Sequence, residues 1–124
     1  MTVWLLVVLG AALGAPIRWL LDGYVQSKHD SVFPWGTFTI NVLGSFLLGL
    51  LLGASLEGEE LTRLVALAGT GFCGAFTTFS TFSYETVVLA QEGSSPIAVL
   101  NVVGSVLAGL AAAFAGWALA GAVL

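Results

Sequence analysis

Residues 69 to 85, GTGFCGAFTTFSTFSYE, form the least regular part of the sequence. They lie in an otherwise apolar segment from about residue 62 to 91, which is long enough to cross a membrane. Three glycines followed by Thr77 and Thr78 are poor material for a straight helix. Broken backbone is tolerated at membrane depth only where protein or a water-filled cavity satisfies its polar groups. We therefore predict a membrane helix that breaks near the bilayer centre.

The composition of the whole chain requires a lipid environment. Of its 124 residues, 58% are hydrophobic and 8% are charged, whereas about 25% of residues are charged in a typical soluble domain. A spanning helix needs about 20 mostly apolar residues. The sequence predicts four such spans in one all-α transmembrane domain of residues 1–124, at about 3–21, 35–56, 62–91 and 96–123.

Charge and cysteine content exclude several classes of function. The net charge is −4 with no basic run, so nucleic-acid binding has no electrostatic basis. The single cysteine, Cys73, permits no internal disulfide and offers too few soft ligands for a structural zinc site. One Cys, one His and sparse carboxylates supply no nucleophile and base pair, so the chain is predicted not to be an enzyme.

An internal repeat links the second and fourth spans. Residues 41–50, NVLGSFLLGL, match residues 101–110, NVVGSVLAGL, at seven of ten positions. In each copy Asn, Ser and Gly recur every four residues and share one helix face. The two stripes are Asn41, Ser45 and Gly49, and Asn101, Ser105 and Gly109. Such a stripe indicates either a close helix contact or the wall of a polar path.

The third span carries the most specific chemistry. Phe76, Phe79 and Phe82 recur every three residues among hydroxyl side chains. Phenylalanines at this spacing usually pack in a core, but ring edges are electropositive and can also contact an anion. Together with the two asparagine and serine stripes, these groups could line a narrow anion path. At the break, backbone carbonyls freed near Gly74 and Thr77 could hold a small cation; the alternative is a glycine-rich packing face.

The few charged residues leave two roles and the orientation open. Arg18 either attracts anions into a vestibule or extends to the lipid headgroups. Glu85 is either a partnered carboxylate or a proton-coupling site. Arg63 lies on the side of both termini, whereas Arg18 and Lys28 lie at the other end. So small a bias gives the positive-inside rule little to act on, and the chain could insert both ways and form an antiparallel dimer.

These motifs resemble the Fluc (CrcB) family of fluoride channels. The resemblance covers nearly the whole chain and rests on four stretches: Gly10-x3-Gly14-x3-Arg18, GTFTINVLGS at 36–45, GFCGAFTTFSTFS at 71–83, and NVVGS at 101–105. It implies a dual-topology antiparallel homodimer with two pores, which conducts fluoride passively out of the cell and lowers its cytoplasmic concentration. It also implies a multi-pass protein of the bacterial or archaeal plasma membrane, in contact with lipid.

The resemblance also assigns residues. Phe79 and Phe82 correspond to the family's paired pore phenylalanines, and Asn41 to its pore asparagine. Gly74 and Thr77 correspond to the positions whose carbonyls hold a central structural sodium ion. The remaining predicted pathway residues are Thr37, Ser80, Thr81, Asn101 and Ser105, with Arg18 at the vestibule. Where the family often continues the fourth-span track with another hydroxyl, this chain has Gly109.

Two other functions compete with a channel. A small multidrug-resistance type exporter also combines four short spans with dual topology, but it needs a carboxylate deep in its first span. Here the first span has none before Asp22, and Glu85 is the only candidate on the third. A non-transporting scaffold, in which every polar stripe is packing, is the other alternative.

Overall fold

The computed structural model describes residues 2–123, and these are helices joined by short connections. The helices are α1 (Thr2–Ser27), α2 (Trp35–Gly53), α3 (Gly58–Leu64), a π-helical segment (Val65–Cys73), α4 (Gly74–Phe76), α5 (Ser80–Gln91) and α6 (Ser95–Val123). Four stretches are long and apolar enough to cross a membrane: Val3–Ser27, Trp35–Gly53, Gly58–Gln91 and Ser95–Val123. The predicted four-span, all-α architecture is confirmed, and the chain is a multi-pass membrane protein.

The helices differ from the predicted spans mainly at their ends. The first helix continues past residue 21 to Ser27, and the third span begins at Gly58 rather than near residue 62. The second helix ends at Gly53, three residues before the predicted end. Hydropathy marks only the apolar part of a helix, whereas backbone hydrogen bonding continues into polar residues beyond the hydrocarbon layer.

The third span is interrupted where the sequence predicts a break. Helix α4 ends at Phe76, Thr77 has extended backbone (φ −81°, ψ 161°), and α5 starts at Ser80. The glycines before the break do not interrupt the helix; they lie in and just after the nine-residue π-helical segment. Such segments are rare and often found at functional sites. The helix is therefore interrupted at the hydroxyl-bearing residues Thr77 and Thr78, not at the glycines.

Glycines bring the first and third spans into backbone contact. A Cβ atom on Gly10 would overlap the carbonyl oxygen of Leu67, and one on Gly14 would lie 2.5 Å from the carbonyl oxygen of Phe72. From the other side, a Cβ atom on Gly71 would lie 2.6 Å from the carbonyl oxygen of Val7. This is the close approach that small residues allow between membrane helices.

The two repeat copies pack against each other through α2 and α6. A Cβ atom on Gly49 would overlap the carbonyl oxygen of Ala113, and one on Gly116 would overlap that of Phe46. Gly109 faces the Ser45 hydroxyl. Gly49 of the first stripe thus serves close helix packing, whereas a Cβ atom on Gly109 would make only an ordinary contact. Ser45 and Ser105 lie beside an open groove.

Candidate ion pathway

The break in the third span is fastened to α2 by one side chain. The Asn41 Nδ2 group donates to the carbonyl oxygen of Thr78, and the Thr78 N–H donates to Asn41 Oδ1, each at 2.9 Å. These two bonds satisfy backbone groups that the break leaves outside any helix. An amide nitrogen has two N–H donors, so one remains for another partner.

Thr78 also starts the helix that follows. Its Oγ1 accepts a hydrogen bond from the Thr81 N–H at 3.2 Å, as an N-terminal capping group does. The same hydroxyl donates to Thr81 Oγ1 at 3.2 Å and lies 3.3 Å from Ser80 Oγ. Thr78 therefore contacts three of the predicted pathway residues, Asn41, Ser80 and Thr81, although it is not itself one of them.

The break leaves two backbone carbonyls available for a cation. In a continuous helix the Thr78 N–H would bond to the Gly74 carbonyl and the Thr81 N–H to the Thr77 carbonyl. Here Thr78 N–H donates to Asn41 and Thr81 N–H donates to the Thr78 hydroxyl. Gly74 and Thr77 both line the same groove. Neutral carbonyl oxygens suit a small hard cation, so these residues fit the predicted sodium site.

A groove of about 450 Å³ runs along the membrane-spanning part of the protein. It brings together six residues of the predicted site: Asn41, Gly74, Thr77, Phe79, Phe82 and Ser105. Other residues on its wall are Gly44, Ser45, Leu48, Gly69, Cys73, Thr78 and Val106. Neither Lys nor Arg is among the lining residues, so the groove offers an anion amide, hydroxyl and aromatic groups without a strongly binding cation.

Only two of the three spaced phenylalanines face this groove. Phe79 is 78% exposed, and its ring centroid lies 5.9 Å from that of Phe82 at an interplanar angle of 44°. Phe76 is buried and stacks on Phe72 with a centroid distance of 5.4 Å. The packing alternative thus holds for Phe76, whereas Phe79 has no core to fill within residues 2–123.

A buried polar chain stands behind Ser105. The Ser105 hydroxyl donates to Asn101 Oδ1 at 3.2 Å, and Asn101 Nδ2 donates to Thr86 Oγ1 at 2.9 Å. The Thr86 hydroxyl in turn donates to the Phe82 carbonyl at 2.8 Å. Asn101 is fully buried, so it lies behind the groove wall and orients Ser105. Thr86 has no sequence signal beyond its place five residues after Thr81.

A second cavity, of about 210 Å³, lies at the other side of Thr78. It is lined by Arg18, Trp19, Asp22, Thr37, Ile40, Thr78 and Thr81. Thr78 lines both cavities. The two hydrogen bonds between Asn41 and Thr78, which we call the Asn41 clamp, therefore lie between the two cavities. The cavity contains the predicted vestibule residue Arg18 and two predicted pathway hydroxyls. Ser80 is exposed at the break and lines neither space.

Glu85 lines neither of these spaces but a third cavity of about 170 Å³, whose wall also includes Gln26, Pro34 and Glu92. Its Oε1 atom is buried and has no hydrogen-bond partner within residues 2–123. The Thr37 side chain lies beside the carboxylate, and the charge of Asp22 is close enough to act on it. The structure therefore places Glu85 at the same end of the molecule as Arg18.

Comparison with known proteins identifies the family. A family model described as CrcB-like protein, Camphor Resistance (CrcB), matches residues 5–117. The chain belongs to the CrcB family. It is 56% identical to fluoride-specific ion channel FluC 1 of Frankia casuarinae over 97% of both chains. It is 57% identical to FluC 1 of Streptomyces avermitilis over 91% of both chains.

A less similar relative also matches over nearly the full length of both chains. The chain is 46% identical to fluoride-specific ion channel FluC of Thermus thermophilus, over 98% of this chain and 95% of the relative. These relatives of the CrcB chain are named ion channels rather than enzymes. The predicted family resemblance is confirmed, as is the prediction that the chain is not an enzyme.

Proposed function

We propose that this CrcB family member is a passive, fluoride-selective channel that exports fluoride and so lowers its cytoplasmic concentration. The names of its relatives support fluoride as the ion. The observation that carries the proposal is the groove that holds Asn41, Phe79, Phe82 and Ser105 on one continuous surface. A membrane protein has little reason to expose such polar groups except to an ion or a partner.

The chemistry of the groove suits a strongly hydrated anion. A pore must replace the water of the ion with many modest donors, since conduction requires that the ion leave as readily as it binds. The second Asn41 N–H and the edges of two phenyl rings are such donors. The Ser45 and Ser105 hydroxyls donate to the Asn41 carbonyl and to Asn101 Oδ1, so each would turn from that acceptor to donate to the ion. The Thr37 and Thr81 hydroxyls continue the series into the second cavity.

A second copy of the chain supplies the missing wall of the pathway. The groove is open along one side, and Phe79 projects from it with 78% of its surface exposed. An ion in this groove would meet lipid unless another protomer covered it. Because Lys and Arg are nearly balanced between the two ends, both orientations can insert, and an antiparallel homodimer has two equivalent grooves and thus two pores.

The carbonyls of Gly74 and Thr77 would hold the proposed structural sodium ion. Supplied by both protomers, four such oxygens would surround a cation where the two breaks meet. When bound, the ion supplies a positive charge that ties the breaks together and lowers the electrostatic barrier to an anion. The Asn41 clamp keeps the Gly74 carbonyl outside the helical hydrogen-bond pattern. We place the dimer in the bacterial or archaeal plasma membrane, surrounded by lipid.

Ion efflux from liposomes tests the function directly. Purified protein is reconstituted in vesicles loaded with potassium fluoride or potassium chloride, and valinomycin is added to carry the counter-charge. We expect rapid fluoride efflux at an electrode, with chloride retained and no need for a proton gradient. Fluoride retention by correctly folded protein would reject the channel and make the proton-coupled exporter, with Glu85 at its centre, the next candidate. Fluoride efflux that requires a proton gradient would reject passive conduction.

A further inference from the structure

Asp22 places a carboxylate in the cavity that holds Arg18. The two residues are one helical turn apart on α1, and both line the cavity of about 210 Å³ next to Thr78. Asp22 is the first acidic residue after the apolar part of α1. In the structure it is half-buried and lines the same cavity as Thr78, which forms two hydrogen bonds with Asn41.

The Asp22 carboxylate lies against the start of α2. A Cβ atom on Gly36 would overlap Asp22 Oδ1, so the carboxylate lies directly against the Gly36 backbone. The Gly36 N–H donates to Gln26 Oε1 at 3.1 Å, one further turn along α1. Helix N-termini favour negative charge, which explains why Asp22 rests there.

Arg18 and Asp22 do not form a salt bridge. Within residues 2–123 the ion pair found at 4 Å or less joins Arg63 to Glu59, at the opposite end of the molecule. Arg18 and Asp22 therefore face the same cavity without forming a salt bridge. Glu85 and Glu92 line a neighbouring cavity that Gln26 of α1 also borders, and the charge of Asp22 is close enough to act on Glu85.

We propose that Asp22 lowers the rate at which anions reach the pathway from this end, by opposing the attraction of Arg18. The proposal rests on the channel function given above. Opposite charges in one confined, low-dielectric cavity oppose each other's fields, and the local potential sets the concentration of a diffusing anion. Asp22 would act on the anion through space, without binding it and without changing which anion passes the phenylalanines.

The test compares initial fluoride efflux rates of Asp22→Asn, Asp30→Asn and Arg18→Gln with the unchanged protein. Asn keeps the size and the acceptor oxygen of Asp22, so the contact with Gly36 is preserved. Asp30 is an exposed acid in the connection at the same end, and its variant has the same net charge as Asp22→Asn. Fluoride is kept below saturation, and each rate is measured at about 0.01 M and about 1 M ionic strength.

We expect Asp22→Asn to raise the efflux rate roughly twofold to tenfold at low ionic strength and Arg18→Gln to lower it by a similar factor. Both effects should shrink towards none at high salt, where the screening length falls from about 30 Å to about 3 Å. Asp30→Asn should match the unchanged protein. The ratio of fluoride to chloride permeation should be the same in all four proteins.

Three results would overturn the proposal. Equal rates for Asp22→Asn and the unchanged protein at low salt would show that the carboxylate has no effect on access. A slower Asp22→Asn with the same deficit at both salt concentrations would assign it a structural role at the start of α2. An increase matched by Asp30→Asn would reflect net charge alone. Absence of fluoride efflux in the unchanged protein would instead reject the channel function itself.

Discussion

Asn41 does two things at once, because one amide both holds the break and faces the groove. Replacement by Ala leaves the Thr78 N–H and C=O without partners, and each unsatisfied buried group costs about 1–3 kcal/mol. We expect Asn41→Ala to lower the melting temperature in detergent and to reduce fluoride efflux at least tenfold. Leu43→Ala, at a half-exposed position on the same helix, is the control. Equal effects of both variants would assign Asn41 to packing.

Asn41→Asp separates the structural role of Asn41 at the break from its role in the groove. The aspartate keeps an oxygen that accepts from the Thr78 N–H, but it adds a negative charge to the groove wall. We expect its thermal stability to lie closer to that of the unchanged protein than Asn41→Ala does, while fluoride efflux is lost because like charges repel. Efflux that survives in Asn41→Asp would show that the ion does not pass this residue.

Phe79 and Phe82 test the role of aromatic ring edges. Isoleucine preserves apolar volume but lacks the electropositive edge of a ring. We expect Phe79→Ile and Phe82→Ile each to reduce fluoride efflux more than tenfold while the elution volume of the protein from a sizing column is unchanged. Phe114→Ile removes an exposed ring on α6, away from the groove, and should conduct normally. Normal conduction in both groove variants would leave the rings without a role in permeation.

Which side chains could be predicted follows from how each one acts. Phe79, Phe82 and Asn41 have sequence signals, a spacing of three and a repeated asparagine, and the structure places all three on the groove. Phe76 shares the spacing but is buried against Phe72, because it lies in α4 before the break, whereas Phe82 lies in α5 after it. Thr78 and Thr86 act through hydrogen bonds to Asn41 and Asn101, which lie on other helices, and no local sequence pattern predicts such contacts.

The third span shows the same limit for a whole segment. Glycines and hydroxyls predict that its helix is broken, and the structure confirms a break at residues 77–79. Its π-helical stretch could not be predicted, because its composition would equally allow an α-helix. Helix ends also differed from the predicted spans, as Asp22 and Gln26 continue α1 outside its apolar part.

The close contact between α1 and the third span depends on the absence of side chains at Gly10, Gly14 and Gly71. A methyl group on Gly14 would meet the Phe72 carbonyl at 2.5 Å, and backbone there cannot move without separating the helices. We expect Gly14→Ala to lower the melting temperature by several degrees, consistent with a cost of about 1–3 kcal/mol for overpacking. Gly23→Ala lies on the same helix with open space around it and should be neutral or slightly stabilising. Similar melting temperatures for Gly14→Ala and the unchanged protein would show that the two helices can separate slightly without loss of stability.

Orientation is a property of the whole molecule, set by a few charges at its two ends. Arg63 lies at the end shared by both termini, and Lys28 and Arg18 lie towards the other. A bias of one charge is too weak to fix the orientation of the spans. If both orientations are needed to complete the groove, any change that fixes one of them will abolish conduction while each protomer still folds.

Adding one basic residue at either end therefore tests the antiparallel dimer. Glu57→Lys adds a cation at the end of both termini, and Asp30→Lys adds one at the other end. Reporters fused to the C-terminus should show both orientations for the unchanged protein, opposite single orientations for the two variants, and no change for Glu57→Gln, since acidic residues contribute little to orientation. Each lysine variant produced alone should lose fluoride efflux, and producing the two together should restore it, because only the mixture supplies protomers that face opposite ways. Full efflux from a single variant whose reporters show one orientation would mean that a parallel arrangement, or one protomer alone, completes the pathway.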